Sequence, residues 1–125
     1  MSKFIATLLL AASVSIYGGS VWAHAEHGHP QHGGIVAEAG EAQFEIVAKE
    51  NKLTVFVTNH GAPVATTGAS GKLTILAGNS KRELELKPDG ENRMAGLGSL
   101  QATEKLLVTI QLPGKKPLQA RAVAK

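Results

Sequence analysis

Histidines are concentrated in one short stretch of the chain. Four of the five fall within nine residues, at His24, His27, His29 and His32, and the fifth is His60. Imidazole is the commonest nitrogen ligand for Zn²⁺, Cu²⁺ and Ni²⁺, and several imidazoles can surround one ion where the backbone bends. The spacing therefore predicts a metal site formed by the first four histidines. The alternative is a polar tail that binds nothing.

The residue types near this cluster limit the choice of metal. The chain has no cysteine, which argues against a structural zinc knot or a blue-copper centre. The affinity order for nitrogen ligands favours copper, so the predicted cofactor is a divalent ion, Cu²⁺ or Zn²⁺ first, with Ni²⁺ or Co²⁺ as alternatives. Protonated imidazole cannot bind a metal, and binding is therefore expected to weaken below roughly pH 6.

Other candidate ligands lie outside the cluster. His60 ends a predicted strand, where it would be either a fixed ligand that receives the metal or an ordinary turn residue. Met94 lies in another predicted strand, so a core methionine is expected and a copper(I) thioether ligand is the alternative. Three carboxylates that could add oxygen ligands, but are expected to be solvated charges, are Glu26, Glu38 and Glu41.

The chain begins with the pattern of a secretory signal peptide. Lys3 precedes an apolar stretch at 4–16, and Val21 and Ala23 occupy the positions that a signal peptidase reads. A membrane anchor is the alternative, but the apolar stretch is shorter than the ~18–20 residues that a bilayer span needs. We expect cleavage after Ala23, a periplasmic location and no stable membrane anchor. The predicted segments are a signal peptide at 1–23, a His- and Gly-rich arm at 24–34 and a β-domain at 35–125.

Beyond the arm, apolar residues recur at every second position. Val108, Ile110 and Leu112 are separated by Thr109 and Gln111, the pattern of a strand with one buried face. Turn residues separate several such segments, and no helix is expected. The predicted fold is all-β, a single small antiparallel β-sandwich (Ig-like) or barrel of about seven or eight strands, with a flexible His-rich N-terminal arm. The predicted strands cover 43–49, 53–59, 72–77, 83–87, 93–97, 106–112 and 118–123.

Composition argues against two function classes. Thirteen Lys and Arg against ten Asp and Glu give a formal net charge of +3, spread along the chain. Without a basic stripe or interleaved aromatic residues, nucleic acid is not an expected partner. The sequence also lacks a cysteine nucleophile, a Gly-x-Ser-x-Gly motif and a phosphate-binding glycine loop. We therefore do not expect an enzyme, and no catalytic residue is assigned.

Four short motifs recur in a known group of proteins. They are HGGIV at 32–36, FE at 44–45, VFVTNHGAPV at 55–64 and LPGKKP at 112–117. The chain thereby resembles small periplasmic proteins linked to heavy-metal resistance, and a domain of the periplasmic adaptor subunits of resistance-nodulation-division efflux pumps. The resemblance implies a periplasmic β-domain that binds or hands over copper, zinc, cobalt or cadmium near an export system. That family has Asp-His-Gly where this chain has Asn59-His60-Gly61, so a carboxylate beside the histidine is missing.

Two functional hypotheses follow, and a third possibility beside them is a passive metal buffer without any partner. The first is a periplasmic transition-metal-binding protein of heavy-metal homeostasis or resistance, which captures a divalent ion with the histidine cluster and passes it to an efflux system through a periplasmic adaptor. The alternative is an envelope protein-interaction module associated with an efflux adaptor, in which the histidines are incidental. The hypotheses differ in whether partner binding survives removal of residues 24–34.

Overall fold

A computed structural model describes residues 29–125 of the chain. This part contains nine strands and no helix, and therefore no helix that is long and apolar enough to cross a membrane. The strands are β1 (Ile35–Ala39), β2 (Ala42–Lys49), β3 (Lys52–Asn59), β4 (Ala62–Pro63), β5 (Ser70–Ala77), β6 (Ser80–Pro88), β7 (Arg93–Leu97), β8 (Lys105–Gln111) and β9 (Leu118–Val123).

The strands form one curled antiparallel sheet. Hydrogen-bonded neighbours follow the order β1-β2-β3-β7-β6-β5-β8-β9, with the short β4 paired to β3. The two outermost strands, β1 and β9, pack against each other, so the sheet is a nearly closed barrel. The predicted all-β class is confirmed, and the architecture is the barrel-like one of the two that the sequence suggested.

Alternating side chains fill the interior of the barrel. Phe44, Leu53, Val55 and Ile110 are all fully buried, as the apolar period of two predicts. Each such side chain contributes about 1.5–3 kcal/mol through its removal from water. Met94 is also fully buried, which agrees with a core methionine and leaves its sulfur away from solvent.

Two hairpin turns sit where the sequence places turn residues. In the β2–β3 turn, Glu50 and Asn51 have φ of 53° and 65°, and in the β3–β4 turn His60 and Gly61 have φ of 53° and 83°. Two consecutive residues with positive φ make the type I′ turn, whose twist matches that of paired strands. His60 is thus held at a turn position by the hairpin itself.

The structure differs from the sequence prediction in two strands that were not expected and in the burial of two residues of β2. The predicted list lacked β1 and β4, because an Ala-Glu-Ala segment and a two-residue strand give too little alternation to be recognised. Ala48, which alternation places on the same side as Phe44 and Ile46, is exposed near the end of β2. Glu45 differs from the expected pattern in the opposite way. It lies on the outward face of β2 and is nevertheless buried.

Candidate functional site

The buried carboxylate of Glu45 holds the segment that precedes β1. Its Oε1 accepts a hydrogen bond from the backbone N–H of Gln31 at 2.9 Å. Its Oε2 accepts from the backbone N–H groups of His32 at 2.7 Å and Gly34 at 2.8 Å. The ring Nδ1 of His32 lies 2.9 Å from Oε1. One side chain thus fastens the last residues of the predicted flexible arm to the barrel.

These contacts set the charge of the carboxyl group. Burial raises the pKa of Glu45, but hydrogen bonds from the His32 side chain and from the backbone N–H groups of Gly34, His32 and Gln31 outweigh it, so the pKa lies below its ordinary value of 4.5. An ionised carboxylate only accepts hydrogen bonds, so Nδ1 of His32 must carry the proton that it donates. In a neutral ring, Nε2 then keeps a free lone pair.

The imidazole of His32 is also fixed by an aromatic contact. It stacks on Phe56, with 3.7 Å between ring centroids and 4° between ring planes. Phe56 and Glu45 are direct partners in the β2–β3 register, so one cross-strand pair supplies both contacts. The His32 side chain remains 46% exposed. The result is a positioned imidazole that solvent can still reach.

The two glycines after His32 allow the chain to approach the sheet. Gly33 has φ +74°, a left-handed conformation that glycine adopts without strain. A Cβ at Gly34 would overlap the carbonyl oxygen of Ile46 and lie 2.8 Å from Cγ2 of Val47. Gly34 is therefore required for this segment to lie over β2 as it does, and Gly33 adopts its turn conformation without strain.

The structure describes only part of the predicted metal cluster. His24 and His27 lie outside the described residues. His29 is exposed, and its backbone carbonyl accepts a hydrogen bond from Nε2 of Gln31 at 3.3 Å. Within residues 29–125, no three His, Asp or Glu side chains are grouped as a metal site.

His60, the fifth predicted ligand, lies at a different place on the sheet. Its Nε2 is 3.3 Å from Oε1 of Glu41, and the two side chains are 65% and 78% exposed. His60 follows Asn59, which pairs with Ala42, the first residue of β2. His32 instead covers the Glu45–Phe56 pair, which lies three residue pairs further along the β2–β3 ladder. The described structure thus brings His60 to a carboxylate of the β1–β2 turn. Glu38 is exposed on β1, as expected of a solvated charge.

A shallow cleft opens beside the imidazole of His32. It has a volume of about 360 Å³ and lies on the outward face of the β2–β3 hairpin. Phe56 and Thr54 line it together with residues at the hairpin end. The full lining is His32, Val47, Lys49, Glu50, Lys52, Thr54 and Phe56.

Sequence reasoning missed the two residues that position His32. Glu45 alternates with Phe44 and Ile46 and therefore reads as an exposed charge on the wet face of a strand. Phe56 stands on the wet face of the next strand for the same reason. An aromatic residue on an otherwise polar face was the available signal that something covers it.

The His-Gly-Gly segment at 32–34 thus lies against the Phe-Glu segment at 44–45. No protein-family model, curated protein or solved structure matches the chain.

Proposed function

We propose that the protein binds a divalent transition-metal ion through its N-terminal histidines, with Nε2 of His32 as the fixed ligand. One observation carries the proposal: Nδ1 of His32 is hydrogen-bonded to a buried carboxylate while the His32 side chain as a whole remains 46% exposed. Metal-binding histidines nearly always donate their other ring N–H to a carboxylate, carbonyl or water. Such a partner fixes the tautomer and raises the basicity of the binding nitrogen.

The remaining ligands would come from the chain that precedes His32. His29 lies three residues earlier and is exposed, and the sequence supplies His24 and His27 further upstream. One anchored imidazole lowers the ordering cost for the others, because part of the site is already in place before the metal arrives. With nitrogen donors only, Cu²⁺ and Zn²⁺ remain the first candidates and Ni²⁺ or Co²⁺ the alternatives.

Within this proposal, the biological role is metal homeostasis or resistance outside the cytoplasm. It rests on the predicted signal peptide and on the resemblance to heavy-metal-resistance proteins. The rival hypothesis, an interaction module with incidental histidines, gives the carboxylate–histidine contact a purely structural role. Metal binding by matched variants separates the two.

The test is calorimetric titration of the untagged exported protein with Cu²⁺, Zn²⁺, Ni²⁺ and Co²⁺. We expect His32→Ala to weaken the tightest binding at least about tenfold, the range seen when a ligand or its supporting shell is removed. His60→Ala is the matched control and should leave the affinity unchanged. Equal affinities for wild type and His32→Ala would refute the role of His32. Absence of binding by the wild type would favour the interaction module.

A further inference from the structure

A row of alternating basic and apolar side chains crosses four strands at one end of the barrel. Lys81 pairs with Leu76 in the β5–β6 register, and Leu76 pairs with Lys105 in the β5–β8 register. Lys105 in turn pairs with Val123 in the β8–β9 register. Directly paired residues point to the same face of a sheet, and all four of these residues are exposed. We call them the rim row.

The rim row holds apolar side chains that the barrel leaves in water. Three large apolar side chains are exposed among residues 29–125, and two of them are Leu76, at 41%, and Val123, at 54%. Leu107 lies two residues beyond Lys105 on β8, so it is the diagonal neighbour of both, and it is half-buried. The face therefore presents three aliphatic side chains beside the lysines of the row.

The face behind the rim row also carries the excess positive charge of the described chain. It is the outward face of β6, β5, β8 and β9, and its charged residues are Lys72, Lys81, Glu83, Glu85, Lys87, Lys105 and Arg121. Five of these seven residues are basic and two are acidic. The other seven basic and seven acidic residues within 29–125 balance one another.

The two acidic residues do not neutralise this face. Oε2 of Glu83 lies 3.5 Å from Nζ of Lys72 and 3.6 Å from Nζ of Lys81, so one carboxylate serves two lysines. Lys105 and Arg121 have no ion-pair partner within residues 29–125. These two cations are therefore available to an external anion.

The residues that border the face do not reverse its charge. Glu38 lies on β1, which packs against β9, and it brings one negative charge to the edge of the face. Lys115 and Lys116 lie in the β8–β9 connection and add two positive charges. Glu104 precedes β8, but its carboxylate is paired with the guanidinium of Arg82 at 3.1 Å. The face and its borders together remain positive.

The residue types on this face distinguish a lipid partner from a protein partner. Protein–protein interfaces are enriched in aromatic residues and arginine and depleted in lysine. Strands β5, β6, β8 and β9 contain no aromatic residue, and four of the five basic residues on their outward face are lysines. At a bilayer, aliphatic side chains enter between the headgroups while flexible lysines pair with phosphates, a contact that needs no fixed geometry.

We infer that the outward face of β6, β5, β8 and β9 docks on an anionic phospholipid bilayer. The three aliphatic side chains contact the interfacial region, and Lys81, Lys105 and Arg121 pair with lipid phosphates. The contact is peripheral and reversible, because it rests on a few charges and side chains. In the strand order, β1 and β7 separate these strands from β2 and β3. His32 therefore lies on another side of the barrel, and the inference does not depend on the proposed metal function.

The experiment is sedimentation of the untagged exported protein with vesicles at neutral pH. One vesicle preparation is phosphatidylcholine alone, and the other contains equal parts of phosphatidylcholine and phosphatidylglycerol. EDTA is present throughout, so that the histidines cannot bridge to phosphate through a metal. We expect binding to the anionic vesicles only, and we expect it to weaken as salt is raised, because salt screens exposed charges.

Variants assign this binding to the face. Lys105→Gln and Arg121→Gln should each lower the partition coefficient on anionic vesicles about fivefold, the usual effect of one basic residue at an anionic membrane. Lys49→Gln removes the same charge from an exposed position on β2 and is the matched control, which should bind as the wild type does. Leu76→Ser should weaken binding about two- to fivefold at low and at high salt alike, because apolar contacts are not screened. Thermal unfolding followed by circular dichroism checks that all variants fold.

Three results would overturn the inference. The first is no binding to anionic vesicles at low salt. The second is an equal loss of binding for Lys49→Gln and Lys105→Gln, which would mean that net charge alone attracts the protein. The third is binding of soluble poly-L-glutamate without binding of vesicles, which would assign the face to an acidic protein. Metal affinity is measured separately, so its absence would overturn the proposed function and leave this inference standing.

Discussion

Glu45 shows how one side chain can organise a site that lies mostly outside its own strand. Its carboxylate accepts three backbone N–H groups and the ring N–H of His32 while only 5% exposed. A buried charge is costly unless its lone pairs are satisfied. Four hydrogen bonds satisfy those lone pairs, and they fix the segment at 31–34 against β2.

Replacing Glu45 by Gln should destabilise the fold and loosen His32. Gln keeps the shape, but it offers one acceptor oxygen in place of two and adds an NH₂ group that faces N–H donors. We expect the free energy of unfolding in urea to fall by about 1–3 kcal/mol. Glu38→Gln, on the exposed face of neighbouring β1, is the matched control and should have no effect. An unchanged stability for Glu45→Gln would show that the carboxylate is not paired as described.

The contribution of Glu45 to the free energy of unfolding should also depend on pH, and it should fall in acid. Burial raises the pKa of Glu45, but the hydrogen bonds lower it by a larger amount. The folded state therefore holds the proton less tightly than the unfolded chain does. The stabilisation is therefore fully present above the ordinary pKa of 4.5 and is lost as the pH falls through the lowered folded pKa. The stability difference between wild type and Glu45→Gln, measured by urea unfolding, should shrink below pH 4.5. A difference that grows in acid would contradict the assignment.

At the scale of elements, the strands of the barrel could be predicted from the sequence, whereas the position of the segment at 31–34, which lies over β2, could not. Strands such as β8 could be predicted because one face is buried, which imposes an apolar period of two. The position of residues 31–34 follows no period, since it depends on two glycines and on an acceptor more than ten residues away. The histidines could therefore be recognised as candidate ligands, whereas the anchoring of His32 could not.

Gly34 tests whether this crossing segment matters for metal binding. Gly34→Ala places a Cβ against the Ile46 carbonyl oxygen, so the segment must lift from β2. We expect faster hydrogen exchange at the amides of His32 and residue 34, and a lower calorimetric metal affinity. Gly78→Ala is the control, because it strains a positive-φ turn in open space elsewhere. Equal metal affinities for the two variants would show that the segment's position is irrelevant to binding.

At the scale of the whole molecule, the proposed site couples metal binding to folding. The segment at 31–34 precedes β1, and β1 packs against β9 where the barrel nearly closes. His32 is oriented only when β2 and β3 are paired, so the anchored ligand exists in the folded state alone. A ligand that prefers the folded state stabilises it in proportion to the logarithm of its concentration.

Zinc should therefore raise the stability of the wild type more than that of His32→Ala. At a concentration about one hundred times Kd, the gain for the wild type should approach ~2.7 kcal/mol, reduced by whatever affinity the unfolded histidine-rich chain has. Differential scanning calorimetry with and without Zn²⁺ measures the effect. Equal gains in the two proteins would mean that the other histidines bind without help from the barrel.

The central claim concerns a single atom, Nε2 of His32, and imidazole ¹⁵N NMR observes it directly. Before metal is added, we expect the His32 ring to carry a proton at Nδ1, the nitrogen that faces Glu45. On saturation with Zn²⁺, the Nε2 resonance should move to the position of a metal-bound nitrogen while Nδ1 stays protonated against Glu45. An unchanged His32 Nε2 resonance at saturating Zn²⁺ would contradict the account, whatever the other histidines do.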